Sequence, residues 1–110
     1  MGRMREVCGA VSGMFIVLGI VAGYSDPSDA QDKKSTYAAI QELASRFRKE
    51  NGSIICKELL GLSKPEGTYI PEERTKEYYK KRPCPKIVCM AADILEEYLD
   101  EHGYLTGKGI

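Results

Sequence analysis

The sequence predicts an all-α protein, a compact bundle of four to five helices around a buried apolar helix. Apolar residues recur at helical spacing in long segments, and prolines, glycines and helix-capping residues separate these segments. No alternation of apolar and polar residues indicates a strand. Because 110 residues provide one modest hydrophobic core, we expect a single all-helical domain over residues 1–110.

The first helix falls in an uncharged run of 19 residues, Val7–Ser25, which follows a basic opening. Such a run is typical of a signal peptide or membrane anchor, and equally of a fully surrounded helix in a soluble core. Glycines at a spacing of four residues let another backbone approach closely in either setting. These pairs are Gly9 with Gly13 and Gly19 with Gly23. The pattern favours the buried soluble helix and leaves the membrane alternative open.

Local start and stop signals predict four further helices. Ser53 is a suitable N-cap for a helix that starts at Ile54, and Pro71 precedes a helix that starts at Glu72. The four helices span Ala30–Glu50, Ile54–Leu60, Glu72–Lys81 and Pro85–His102. Residues 62–70 are expected to form a loop and residues 105–110 to fray. The expected core stripes are Tyr37, Ile40, Leu43, Ala44 and Phe47 on one long helix, and Ile87, Met90, Ala91, Ile94, Leu95 and Tyr98 on the last.

Composition excludes several functions. The 16 basic and 16 acidic residues cancel, so we expect no nucleic-acid partner, which would require a basic excess. A single histidine and the lack of a CxxC pair argue against histidine-rich metal sites, zinc ribbons and thioredoxin-type motifs. The histidine, His102, lies where a helix ends, so we interpret it as a capping residue.

Three of the four cysteines fall in or beside the first turn of an expected helix: Cys8, Cys56 and Cys84. A helix N-terminus carries partial positive charge and free N–H groups, which favour a thiolate over a thiol. A thiolate attacks disulfides, reacts with peroxide and binds metals. The competing interpretation is that each cysteine is a small apolar packing residue. Cys89 projects away from the apolar stripe of its helix, so we expect it to be peripheral.

Cys84 is expected to be the most nucleophilic of the four thiols. It precedes the last long helix, and prolines on both sides stiffen its backbone. Four cations lie close to it in sequence: Lys80, Lys81, Arg82 and Lys86. Burial would oppose this effect, but a cap position is usually at the surface.

Three segments carry a resemblance to a known family. They are CGAVSG at Cys8–Gly13, SIICKELLG at Ser53–Gly61 and CPKIVCMAADILEEYL at Cys84–Leu99. Together they resemble the C_GCAxxG_C_C family of bacteria and archaea, whose redox description is itself an inference from its cysteines. The resemblance identifies Cys8, Gly9, Ala10 and Gly13 as the CGAxxG motif, Cys56 as the third family cysteine and Cys84 as the fourth.

The resemblance also implies an all-helical, cytoplasmic protein, and it favours the soluble interpretation of the first helix. The chain departs from the family pattern in two ways. The family carries an earlier helix with its first cysteine, whereas this chain begins almost at the motif, and Cys89 is an additional cysteine. The missing helix would leave one flank of the first apolar helix uncovered, so we expect a homo-oligomer.

The leading functional hypothesis is thiol/disulfide or electron-transfer chemistry at converging Cys8, Cys56 and Cys84, with a redox partner protein. The same three sulfurs could instead bind an iron–sulfur cluster or another soft metal. Thiol chemistry is favoured, because three sulfurs without a fourth suit a closed cluster poorly. The rival class is a non-catalytic binding or membrane-associated helical protein with inert cysteines.

Overall fold

The computed structural model describes residues 1–62 and 70–105, with the side chains of residues 79 and 81 excepted. Within these ranges the chain forms five helices and no named strand, which confirms the all-α class. The helices are α1 (Gly9–Ala22), α2 (Ala30–Asn51), α3 (Cys56–Leu59), α4 (Lys76–Lys81) and α5 (Cys84–Glu101). The loop expected at residues 62–70 and the frayed tail lie largely outside the described residues.

The core lies where the three long helices pack against one another. Helix α1 contributes Val11, Met14 and Leu18 to it. The other buried members are Leu43, Phe47, Ile87, Ala91, Ile94, Tyr98 and Leu99. The apolar stripe expected on the last helix is confirmed, with Met90 and Leu95 half-buried at its margins.

Helix α1 is covered on one side only. Ile16 is 63% exposed and Ile20 is 79% exposed, whereas Leu18 between them is 1% exposed. The expectation of a fully surrounded helix is therefore wrong, because α2 and α5 pack on the same side of α1. The expectation that one flank of this helix is uncovered is confirmed. No helix in the described part of the chain combines the length and apolar character needed to cross a membrane.

Helix α2 begins and ends as its sequence predicts. The Asp29 side chain accepts a hydrogen bond from the Asp32 N–H over 3.0 Å, and Gly52 ends the helix at φ +86°. One core residue was misassigned, because Tyr37 is 51% exposed and Thr36 is buried in its place. The Thr36 hydroxyl donates to the Asp32 carbonyl over 2.9 Å, which satisfies the polar group inside the helix.

Helices α3 and α4 are shorter than expected. The sequence predicts Ser53 as the cap of a helix starting at Ile54, but Ile54 lies in a bend, Ile55 is extended, and α3 starts at Cys56. The Ser53 hydroxyl instead accepts from the Ile55 N–H over 3.0 Å. Helix α4 starts at Lys76 rather than at residue 72, because the Thr75 hydroxyl caps it by accepting from the Tyr78 N–H.

Helix α5 starts one residue earlier than expected, with Pro83 as its N-cap and Cys84 as its first residue. At its other end, the His102 ring nitrogen Nδ1 lies 2.9 Å from the Tyr98 carbonyl oxygen, and the ring stacks on Tyr98 with centroids 4.1 Å apart. The capping role expected of His102 is thus confirmed. An Arg46–Glu101 ion pair at 2.8 Å joins α2 to this end of α5.

Candidate thiol site

Two segments far apart in sequence meet in front of α1. Val7 and Ile55 form an isolated antiparallel β-bridge. The Cys8 N–H donates to the Ile54 carbonyl over 2.8 Å, and the Cys56 N–H donates to the Glu6 carbonyl over 2.6 Å. These two bonds flank Val7 and Ile55, which are therefore a non-hydrogen-bonded pair with closely spaced side chains. Main-chain bonds of Cys8 and Cys56 themselves hold the two segments together.

The bridge places Cys8 and Cys56 diagonally across an antiparallel pair. Residues two apart along a strand point to the same face, so these two cysteines and their opposite residues share one face of the bridge. Diagonal neighbours lie about 7–8 Å apart, slightly more than the roughly 4.4–6.8 Å between the Cα atoms of a disulfide. Consistently, Cys8 and Cys56 are both free and half-buried.

Each of these two cysteines also lies at the start of a helix. Cys8 is the N-cap of α1, where its carbonyl accepts from the Ser12 N–H over 3.0 Å. Cys56 is the first residue of α3. The sequence-based expectation of cysteines in or beside a first turn is confirmed for both, although neither side chain makes a capping hydrogen bond.

Arg5 is a site residue that the sequence did not indicate. Its Nη1 atom lies 3.8 Å from the Cys56 sulfur, as a donor to it, and its carbonyl accepts from the Lys57 N–H over 3.1 Å. The guanidinium therefore brings a positive charge and a hydrogen-bond donor to the Cys56 sulfur. Arg5 adopts φ +60°, a left-handed conformation that costs about 1–3 kcal/mol for a residue with a side chain. The bridge and its hydrogen bonds hold Arg5 in this conformation.

Cys84 occupies a different environment. It is exposed, and its neighbours Pro83 and Pro85 line a cavity of about 660 Å³ together with Leu59 and Leu60 at the far end of α3. Three cations complete the lining: Lys80, Arg82 and Lys86. The Arg82 guanidinium bonds the Glu72 carboxylate at 2.9 Å. The surface position expected for Cys84 is confirmed, and three of the four cations near it in sequence, Lys80, Arg82 and Lys86, also line the neighbouring cavity.

The three predicted cysteines do not form one donor cluster. Within residues 1–62 and 70–105, no three side chains of the His, Cys, Asp and Glu types are placed to hold a metal ion. The physical reason is that α5 starts beside the C-terminal end of α3, whereas Cys56 lies at its N-terminal end. The described residues thus do not fit a three-sulfur metal centre within one chain. Cys89 is exposed on α5, as expected of a peripheral residue.

The other motif residues lie along α1 rather than around a sulfur. Gly9, Ala10 and Gly13 line an apolar groove of about 400 Å³ between α1 and α5. A Cβ atom built on Gly9 or Gly13 would meet nothing within 4 Å, so neither glycine is required by close packing inside the described molecule. The motif therefore combines one thiol, Cys8, with an open helix face.

Comparison with known proteins gives a family and no individual relative. No curated protein and no solved structure matches the chain. A family model described as "Putative redox-active protein (C_GCAxxG_C_C)" matches residues 1–98. This range contains all four cysteines, the bridge and most of α5. The match thus covers most of the chain and confirms the resemblance seen in its motifs: the chain belongs to the C_GCAxxG_C_C family.

Proposed function

We propose that the protein is a thiol–disulfide redox protein in which Cys8 and Cys56 form the internal dithiol pair and Cys84 is the thiol that contacts a partner. The observation that supports this proposal is the Val7–Ile55 bridge, because Cys8 and Cys56 directly follow its two residues, are both half-buried and each lie at a helix start. The redox description of the family is consistent with this chemistry.

The exchange begins at Cys84, because it is exposed and lies beside a cationic cavity. Its thiolate attacks one sulfur of a disulfide in the partner, which forms a Cys84–partner mixed disulfide and releases one partner thiolate. The Cys56 thiolate then attacks the Cys84 sulfur, which forms a Cys56–Cys84 disulfide and releases the second partner thiolate. This step requires the first turn of α5 to approach Cys56.

Cys8 completes the sequence. Its thiolate attacks the Cys56 sulfur, which forms the Cys8–Cys56 disulfide and returns Cys84 as a thiolate. Two electrons have passed from two cysteines to the partner disulfide, and the two protons of the cysteines neutralise the two released partner thiolates. The guanidinium of Arg5 lies 3.8 Å from the Cys56 sulfur and can donate a hydrogen bond to it during these steps. The reverse sequence oxidises a partner dithiol.

We further propose that the protein works in the cytoplasm, as a homo-oligomer and with a redox partner protein. A reducing compartment keeps the four cysteines available as thiols. Soft-metal or iron–sulfur binding by Cys8, Cys56 and Cys84 remains a prediction that draws no support from the donor geometry of the described residues. Metal analysis after anaerobic purification tests it.

Serine variants test the order of the three thiols with a small peptide disulfide as the oxidant. Cys56→Ser should leave the peptide trapped on Cys84, Cys8→Ser should accumulate the Cys56–Cys84 disulfide, and Cys84→Ser should slow the exchange strongly. Cys89→Ser is the matched control, because Cys89 is also exposed on α5, and it should react like the natural chain. Peptide mass spectrometry identifies each bond. Unaltered exchange by Cys84→Ser, or no Cys8–Cys56 disulfide in the natural chain, would contradict the proposal and favour inert cysteines.

A further inference from the structure

The outer face of α1 is an uncovered surface with a regular pattern. Gly9, Gly13, Ile16 and Ile20 follow one another at spacings of four, three and four residues. With about 100° per residue, these four positions fall within about 60° of one another around the helix, opposite the buried Leu18. We call these four residues the α1 stripe. Its spacing is that of a seam along which two helices pack.

The α1 stripe is small in its first half and bulky in its second half. Cβ atoms added at Gly9 and Gly13 would meet nothing within 4 Å, which leaves open notches at these positions. One turn further on, Ile16 and Ile20 project into solvent, 63% and 79% exposed. No residue of α1 carries a charge. Two large apolar side chains exposed to solvent, beside two glycines with open space above them, indicate an interaction surface.

We propose that the α1 stripe pairs with the α1 stripe of a second copy of this chain, antiparallel about a two-fold axis. An axis midway between Gly13 and Ile16 places Gly13 opposite Ile16 of the second copy. The same axis places Gly9 opposite Ile20 of the second copy. Each isoleucine then fills the notch of a glycine, and all four layers of the stripe are complementary at once.

The features of the stripe favour a second copy over another protein. Notches and ridges lie on the same helix at distances that the two-fold axis matches, and such self-complementarity is the mark of an isologous interface. An uncharged helix offers no counter-charge to a charged partner. The antiparallel arrangement also places the positive end of each helix dipole beside the negative end of the other. On one flank, Val88 of α5 extends the apolar surface, at 55% exposure.

The α1 stripe offers a small surface for association. A standard interface buries about 800 Å² per partner, about a tenth of the 7815 Å² accessible surface of this chain. Helix α1 has 14 residues and is therefore about 21 Å long. Contact along this length, with a margin from α5, belongs to the small end of specific interfaces. We expect association in the micromolar range.

Sedimentation velocity over a concentration series, in a reducing buffer that excludes dimers linked through exposed cysteines, tests the pairing. The full chain should show reversible dimerisation. Gly13→Leu fills a notch that is open within one chain, so it should weaken the dimer by at least about tenfold. It should not lower Tm at dilutions where both chains are monomeric. Gly19→Leu is the matched control. Gly19 is equally open but lies about 90° around the helix from the stripe, so dimerisation should stay unchanged.

A swap variant tests the register. Gly13→Leu combined with Ile16→Ala exchanges notch and ridge across the axis, so it should restore the affinity to within about threefold of the natural chain. A full chain that stays monomeric throughout the series would overturn the proposal. So would a dimer that Gly13→Leu leaves intact. A dimer that Gly13→Leu breaks and the double variant fails to restore would show a different arrangement and overturn the antiparallel pairing.

Discussion

The bridge thiols of Cys8 and Cys56 differ from the thiol of Cys84 in two properties: how exposed the sulfur is to solvent and how close the nearest positive charge lies. Cys8 and Cys56 are half-buried, main-chain hydrogen bonds fix their segments, and a guanidinium lies 3.8 Å from one sulfur. Cys84 is exposed at the start of an 18-residue helix, beside a cavity lined by cationic side chains. In the proposed mechanism, a partner reaches Cys84 first, and the bridge thiols react with it only through an exchange step. The comparison teaches that a helix start alone does not define a thiol's role; access and the nearest charge decide it.

The largest expected effect is the difference in alkylation rate between the exposed Cys84 thiol and the half-buried thiols of Cys8 and Cys56. During alkylation of the native protein with iodoacetamide near neutral pH, Cys84 should react fastest. Cys8 and Cys56 should react at least about tenfold more slowly, because half-burial limits approach of the reagent. Peptide mass spectrometry of samples quenched over time measures the four rates, with Cys89 as the internal standard for an exposed thiol. In guanidinium chloride the four rates should converge. Faster alkylation of Cys56 or Cys8 than of Cys84 would reverse the assigned order.

An intermediate effect is expected from the guanidinium beside Cys56. Arg5→Gln keeps a side chain of similar length and the same left-handed backbone but removes the positive charge beside the Cys56 sulfur. Resolution of the Cys84–peptide mixed disulfide by Cys56 should slow by about three- to tenfold. Alkylation of Cys84 should not change.

Two companion variants separate charge from backbone strain. Arg5→Lys restores the charge and should recover part of the rate. Arg5→Gly removes the strain of φ +60° together with the charge, so it should be as slow as Arg5→Gln while Tm stays the same or rises. If Arg5→Gly resolves the mixed disulfide at the natural rate, backbone strain at residue 5 rather than the Arg5 charge determines the rate at which Cys56 attacks.

The smallest effect concerns the exposed cations near Cys84. Lys86→Gln should lower the alkylation rate of Cys84 by about twofold, because an exposed charge acts through screened solvent. High salt should produce a similar decrease in the natural chain and almost none at Cys56, whose cation is in direct contact with the sulfur. Lys76→Gln is the control, because Lys76 is the first residue of α4 and lies outside the cavity lining. If the alkylation rates of Cys56 and Cys84 depended equally on salt, the proposed difference between the cation that contacts Cys56 and the more distant exposed cations near Cys84 would be wrong.

Local chemistry made most of the helices predictable. Asp29 and Gly52 bound α2 through their own side-chain and backbone preferences, and the apolar period of α5 identifies its buried face without knowledge of the neighbours. The prediction that Tyr37 is a core residue was wrong. An apolar stripe shows which side of α2 faces the core, but it does not show how far along the helix that side remains buried. There the smaller Thr36 fits against the core and satisfies its hydroxyl within α2.

The sequence by itself determined the all-α class, the family and the placement of three cysteines at or beside helix starts, because each depends on residues near one another along the chain. Only the tertiary structure decided that Cys8 and Cys56 share one bridge, that Arg5 contacts a sulfur, and that Cys84 stands apart. The bridge joins segments separated by nearly half the chain through backbone groups, which every sequence carries alike. Ser53 could therefore indicate a helix start, but no local pattern could show that Ile54 and Ile55 form β contacts instead. Such contacts depend on which segments the packed helices bring together.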